Sequence, residues 1–266
     1  MSDSLFARAV RRLRRIISEP RPKKFPWSEA VEEALRQPTP LALLPAEDAE
    51  LASLVRRACA RERPDSRSLF FQDGAPLACW REEDVGLDGD WLTSPNYYPL
   101  YHALLQEAVG TRSNVRLLEI GVRTGYLGVV FAPATEGAAV YCGVDPNIYL
   151  HNGLRLADQA LAAMRAMRPA FSYELIKGYS HDERIRRRLR SVEKFGYIHI
   201  DGDHSLEGKL ADLELSRSLL KPGGLVLVDD YHHMPAVPEA IQRAFALGWY
   251  RRFAVGPTVR GLAVLS

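Results

Sequence analysis

Five short apolar runs alternating with helical patterns constrain this chain more than any other feature. They are VRLLEIG (115–121), AVYCGVD (139–145), FSYELIKG (171–178), FGYIHI (195–200) and LVLVDD (225–230). Strands this apolar are buried on both faces, which requires helices on both sides of a parallel sheet. The expected fold class is therefore α/β, a doubly wound and mostly parallel sheet. The last stretch, WYRRFAVGPTVRGLAVL, reads as two further strands around a Gly-Pro turn, which adds an antiparallel C-terminal strand.

Between the runs, the spacing predicts helices over YYPLYHALLQEAV (97–109), near 125–132, near 153–167 and over DERIRRRLRSVEK (182–194), and one starting near Ser205. Upstream, 28–62 is helical in pattern. Residues 63–95 are rich in turn formers, with a short hairpin expected around SLFFQDGAPLACW. The expected organisation is a basic helix and linker over 1–27, a helical and irregular region over 28–95, and the α/β domain over 96–266.

Charge is distributed unevenly. Residues 1–27 carry eight Lys/Arg against two acids, so the remainder sums to −4 within a total of +2. That argues against a nucleic-acid-binding body. In 5–17, LFARAVRRLRRII, Phe6, Val10, Leu13 and Ile17 share a helical face opposite the arginines. Such a helix docks on its own protein, joins a second subunit as a homo-oligomer, or lies on an anionic membrane surface. Three scattered cysteines suit a reducing compartment, and no apolar run approaches the roughly 18 residues of a membrane span. A cytoplasmic location is the expectation.

The unusual residues cluster where the runs end. In open parallel sheets, ligands collect at the carboxyl ends of the strands. The first run ends in Glu119-Ile-Gly121-Val-Arg123-Thr-Gly125, a glycine loop that lets backbone approach a ligand. The second ends in Asp145-Pro146, at the spacing from which a carboxylate reaches the two ribose hydroxyls of a nucleoside. A plain turn aspartate is the competing reading. The third ends before Gly178-Tyr179-Ser180, a candidate adenine edge. The fourth ends in Asp201-Gly-Asp203-His204 and the fifth in Asp229-Asp230. Crowded carboxylates repel, so something must compensate them; alternatively, each is a helix cap or an Asx turn.

LLEIGVRTG, YCGVDPN and FGYIHIDGDHSLEGKLADLELSRSLLKPGGLVLVDDY resemble the class I S-adenosylmethionine-dependent methyltransferases, which are Rossmann-like. They are most similar to metal-dependent bacterial O-methyltransferases of natural-product and sugar pathways. The resemblance covers roughly 97–266. It implies S-adenosylmethionine held by the loops above, with Asp201 at its edge. It also implies a Mg²⁺ on Asp201, Asp229 and Asp230, hard oxygen ligands that suit the ion. The acceptor implied is a hydroxyl of a small molecule, sugar, glycan or glycolipid. Either His204 or Asp203 serves as the base, with His204 slightly preferred. The helical N-terminal region is expected to cover the acceptor site or form a subunit interface. The aromatic cluster Trp91, Tyr97, Tyr98 and Tyr101 either stacks on an acceptor or is simply core. Two other readings stay open. One is an iron hydroxylase using His204, Asp230, His232 and His233; the other is a non-catalytic S-adenosylmethionine-binding protein.

Overall fold

The computed structural model describes residues 27–37, 46–61, 71–72, 75–76, 98–109, 114–147, 152–258 and 260–266. The basic segment 5–17, Trp91 and Tyr97 lie outside them. A seven-stranded sheet runs in the order β5-β4-β3-β6-β7-β9-β8. Its strands are β3 (Val115–Ile120), β4 (Ala139–Asp145), β5 (Phe171–Lys177), β6 (Phe195–Ile200), β7 (Leu220–Val228), β8 (Phe253–Gly256) and β9 (Leu262–Leu265). The first five are mutually parallel, and β9 pairs antiparallel with both β7 and β8. A separate two-stranded hairpin, β1 (Phe71–Gln72) with β2 (Ala75–Pro76), falls within the stretch expected to form one.

Helices cover both faces because the strands bury both faces. On one side lie α2 (Ala49–Ala60), α3 (Tyr98–Val109), α4 (Tyr126–Ala134) and α5 (Gly153–Met167), packed on Leu117, Tyr141 and Leu227. On the other lie α1 (Glu29–Arg36), α6 (Glu183–Arg190), α7 (Leu206–Leu219) and α8 (Ala236–Ala246), packed on Leu118, Val144, Ile198 and Val226. The α8 helix was not anticipated, although Val237, Ala240, Ile241 and Ala244 recur at helical spacing and are fully buried. Helix α6 ends at Arg190, short of the expected 194, where Ser191 caps it. The glycine turn after α7 lies inside β7 as a bulge. Phe195 pairs with Leu220, but Tyr197 pairs with Leu225, so the KPGG residues protrude from the ladder.

The N-terminal helices straddle the sheet instead of standing apart from it. Just before α2, residues 47 and 48 meet the edge strand β8: Asp48 N–H donates to the Phe253 carbonyl (2.7 Å), and Val255 N–H donates to Glu47 (2.8 Å). Arg252 then ion-pairs with Asp48 and Glu50. An otherwise open strand edge, a template for aggregation, is thereby occupied. On the far side, buried Arg243 of α8 donates to the carbonyls of Ala34 and Gln37, which closes the carboxyl end of α1. No helix among the described residues is long and apolar enough to cross a membrane.

Candidate active site

Strand order reverses between β3 and β6, where consecutive strand ends stay in register. Ile120 faces Val144 on one side and Ile200 on the other, and Ile200 faces Val228. The ladder continues one step into the loops, with Gly121 N–H donating to Val144 O (2.9 Å) and Asp201 N–H to Ile120 O (2.8 Å). The loops carrying Gly121, Asp145, Asp201 and Asp229 therefore emerge side by side.

The glycine loop needs its glycines. Gly121 has φ +94°, and a Cβ there would lie 2.2 Å from the Asp201 carbonyl oxygen. Gly125, at φ +84°, lets α4 start against the backbone of Ala157 on α5. Arg123, also left-handed at φ 51°, turns its N–H onto Oδ2 of Asp145 (2.9 Å), while Asn147 N–H donates to Oδ1. Asp145 thus ties the β3 loop to the β4 loop, directly ahead of Pro146. Gly178 N–H donates to the Asp145 carbonyl (3.0 Å) and so joins the third loop to the same corner.

Beyond Gly178, Tyr179 stacks on His181 with ring centroids 5.2 Å apart, and Trp27 meets His181 edge-on at 5.1 Å. The segment leading into α1 thus reaches the β5 side of the cleft. The Ser180 hydroxyl is committed to buried Asp212. Glu119 is also committed: it is buried, it accepts the Tyr141 hydroxyl, and it faces His199. Burial pushes the Glu119 carboxyl up. His199 is disfavoured as a cation by burial, yet the facing carboxylate wins and raises its pKa.

The acidic loops converge on a histidine. Nε2 of His204 lies 2.8 Å from Oδ2 of Asp230 and 3.4 Å from Oδ1 of Asp201. Burial opposes the imidazolium, but the two carboxylates carry its pKa up to about 9. On its other side Asp230 meets the guanidinium of Arg260, Nε to Oδ1 2.8 Å. Asp229 and Asp230 have no solvent exposure, and Asp230 sits at φ 65°. Fully buried Lys209 of α7 adds positive charge beside Asp201. Two cationic side chains, His204 and Arg260, thus compensate the carboxylate crowded between the loops.

Among the described residues, the side chains that could hold a metal ion are Asp201, His204 and Asp230, with ligand atoms within 4.8 Å of one another. His204 takes the place in this trio that the resemblance gave to Asp229. His232 and His233 are exposed on the turn after β7 and stand outside it, so the histidine pair of an iron hydroxylase is not assembled here. Asp203 is exposed and accepts the Ser205 N–H (2.9 Å) ahead of α7, which Ser205 caps through Gly208 N–H (3.0 Å). Tyr98 and Tyr101 are buried core residues.

Three contributors escaped the sequence reading. Arg260 comes from the β8–β9 turn and carries no local signal. Lys209 and His199 were visible only as polar residues in apolar stretches.

A family of methyltransferase domains matches residues 118–231, the span from the end of β3 through both acidic loops. Residues 118–231 resemble a methyltransferase domain. Among solved structures, a TDP-rhamnose 3'-O-methyltransferase of calicheamicin biosynthesis shares 17% identity and a TM-score of 0.50 over 84% of this chain and 96% of that one. The Streptomyces achromogenes O-methyltransferase TomG, of tomaymycin synthesis, shares 19% identity at a TM-score of 0.45, over 84% and 91% of the two chains. A Podospora anserina methyltransferase solved with S-adenosylhomocysteine shares 17% at 0.47, over 85% and 98%. At these identities the first likeness speaks for the fold. A comparison with curated proteins gives no significant match. The matched span thus coincides with the part of the sheet whose strand ends carry the glycine loop, Asp145 and the acid trio.

Proposed function

We propose that the protein transfers the methyl group of S-adenosylmethionine to a hydroxyl oxygen of a small-molecule or sugar acceptor. The observation that carries this reading is Asp145, held by two backbone N–H groups at the end of β4 and tied to the glycine loop of β3, next to the reversal of strand order. A carboxylate fixed there can accept hydrogen bonds from a donor's ribose, and the loop after β3 can take its amino-acid portion. The sugar-modifying activity of the structurally similar calicheamicin enzyme supports an alcohol acceptor.

Asp201 and Asp230 would hold a divalent cation. Their oxygens converge and suit a hard ion, and both side chains are otherwise matched only by cationic groups. Such an ion lowers the pKa of a bound alcohol. This chain's own residues do the rest. In the metal-free site the two carboxylates raise the pKa of His204 to about 9, and a cation held by them would oppose that proton. Asp203 is exposed at the same loop, and either it or His204 would serve as the base. The two loops would keep acceptor and donor in line, which supplies most of the rate for an already electrophilic sulfonium methyl.

The deciding experiment is calorimetric titration of S-adenosylmethionine into the wild type and into Asp145→Asn, followed by methyl transfer to a panel of alcohols with and without EDTA. Binding that weakens tenfold or more in a folded D145N supports the reading. Absence of binding to folded wild type removes it.

A further inference from the structure

Beneath the donor loop runs a line of polar side chains to which methyl transfer assigns no task. Tyr141 on β4 donates its hydroxyl to Oε2 of Glu119 on β3. Oε1 of Glu119 faces Nδ1 of His199 on β6 at 3.6 Å. Nε2 of His199 lies 3.2 Å from the hydroxyl of Tyr101 on α3, with the two rings edge-on at 5.2 Å. None of the four side chains belongs to a residue more than 5% exposed. Four elements contribute one residue each, three of them adjacent strands of the sheet.

The location is informative. Glu119 and His199 are directly opposite partners in the β3–β6 ladder, where strand order reverses. Two residues further along each strand come Gly121 and Asp201, whose backbones touch so closely that no Cβ fits between them. The buried link therefore lies one layer beneath the contact between the donor loop and the acid loop. Burying these groups costs free energy that apolar side chains would not, while two hydrogen bonds and an ion-pair contact admit far fewer arrangements than apolar packing. Glu119 accepts the Tyr141 hydroxyl at one oxygen and turns the other towards His199, so both oxygens are directed along the buried line.

We propose that Glu119 and His199, braced by Tyr141 and Tyr101, are positioning residues that set the spacing between the donor loop and the acid loop. Glu119 then supports S-adenosylmethionine through His199 and the strand ends, not by touching it. This rests on the reading of 118–231 as a donor-binding domain.

A double-mutant cycle on donor affinity tests it, using Glu119→Gln, His199→Leu and the double variant, each checked for folding by thermal denaturation. The expected result is that each single variant weakens S-adenosylmethionine binding about tenfold and the double variant is no weaker than either, the coupling of residues that act as one unit. His199→Gln, which can still donate towards Glu119, is expected to recover most of the affinity. A purely structural role would lower the melting temperature and leave the affinity of the folded fraction unchanged, which overturns the proposal. Additive losses, about a hundredfold in the double variant, also overturn it, because Glu119 would then act on the donor alone. If the core variants do not fold, the cycle is run with Tyr141→Phe and Tyr101→Phe, which each lose only a hydroxyl, under the same two criteria. Wild type that binds no donor removes the functional reading itself, and the proposal with it.

Discussion

Arg260, on the turn between β8 and β9, ion-pairs through Nε at 2.8 Å with Asp230, a carboxylate fully withdrawn from solvent at the end of β7. Together with His204, the guanidinium supplies the positive charge that offsets the burial of that carboxylate. Arg260→Gln is expected to destabilise the metal-free protein by about 3 kcal/mol, as breaking a buried pair from one side does. Millimolar Mg²⁺ should then raise the melting temperature of R260Q more than that of wild type, because the ion replaces the lost charge. Thermal denaturation with and without MgCl₂ checks both statements. An R260Q that melts with wild type contradicts the first, and no Mg²⁺ response in either protein contradicts a cation at Asp201 and Asp230.

Asp145 can be tested without knowing the acceptor. Asp145→Asn keeps one acceptor for the Arg123 or Asn147 N–H and loses the charge. Donor affinity is expected to fall by roughly one to two orders of magnitude, since hydrogen bonds to a charged group are worth about 1.5–3 kcal/mol. Calorimetry reads this directly. Unchanged affinity would place the ribose elsewhere.

Glycine positions separate strain from collision. Gly121→Ala must accept φ +94° and push a methyl into the Asp201 backbone, whereas Gly223→Ala, at φ +72°, meets open space. The second should cost about 1 kcal/mol, the penalty of the left-handed region alone. The first should cost several times more and abolish donor binding in whatever folds. Comparable melting temperatures for the two variants would contradict the close approach of the β3 and β6 loops.

His102 on α3 is buried, and burial, with Arg61 nearby, pushes its pKa down to about 4. The folded state therefore binds fewer protons than the unfolded state between about pH 4 and 6.5, and stability is lost as pH falls through that window. His102→Leu should remove that component and flatten the acid limb by on the order of 2 kcal/mol at pH 4. Denaturant titrations at pH 4, 5, 6 and 7 measure it. An acid limb with the same slope in H102L would show that the imidazole is not held neutral.

How legible each part was in the sequence follows from the range of the forces involved. Strands β3 to β7 and helices α3 and α5 were legible because burial on one or two faces imposes a local period, and VRLLEIG or AVYCGVD shows it within seven residues. The glycine loop and Asp145 were legible for a similar reason: a strand end that must turn tightly leaves Gly and Asp at short, fixed spacing. The grouping of Asp201 with Asp230 came from the resemblance, and the pairing of β6 with β7 brings their loops side by side. Charge compensation was not legible. Arg260 reaches Asp230 only because β9 runs antiparallel beside β7 and returns the β8–β9 turn to the site. Likewise, the engagement of Glu119 by Tyr141 and His199 depends on strand register, which no single segment encodes. The sequence by itself determined the layers and the strand ends at which chemistry can occur. Only the tertiary structure decided which side chains meet there, because contacts between buried charges are set by how distant segments pack.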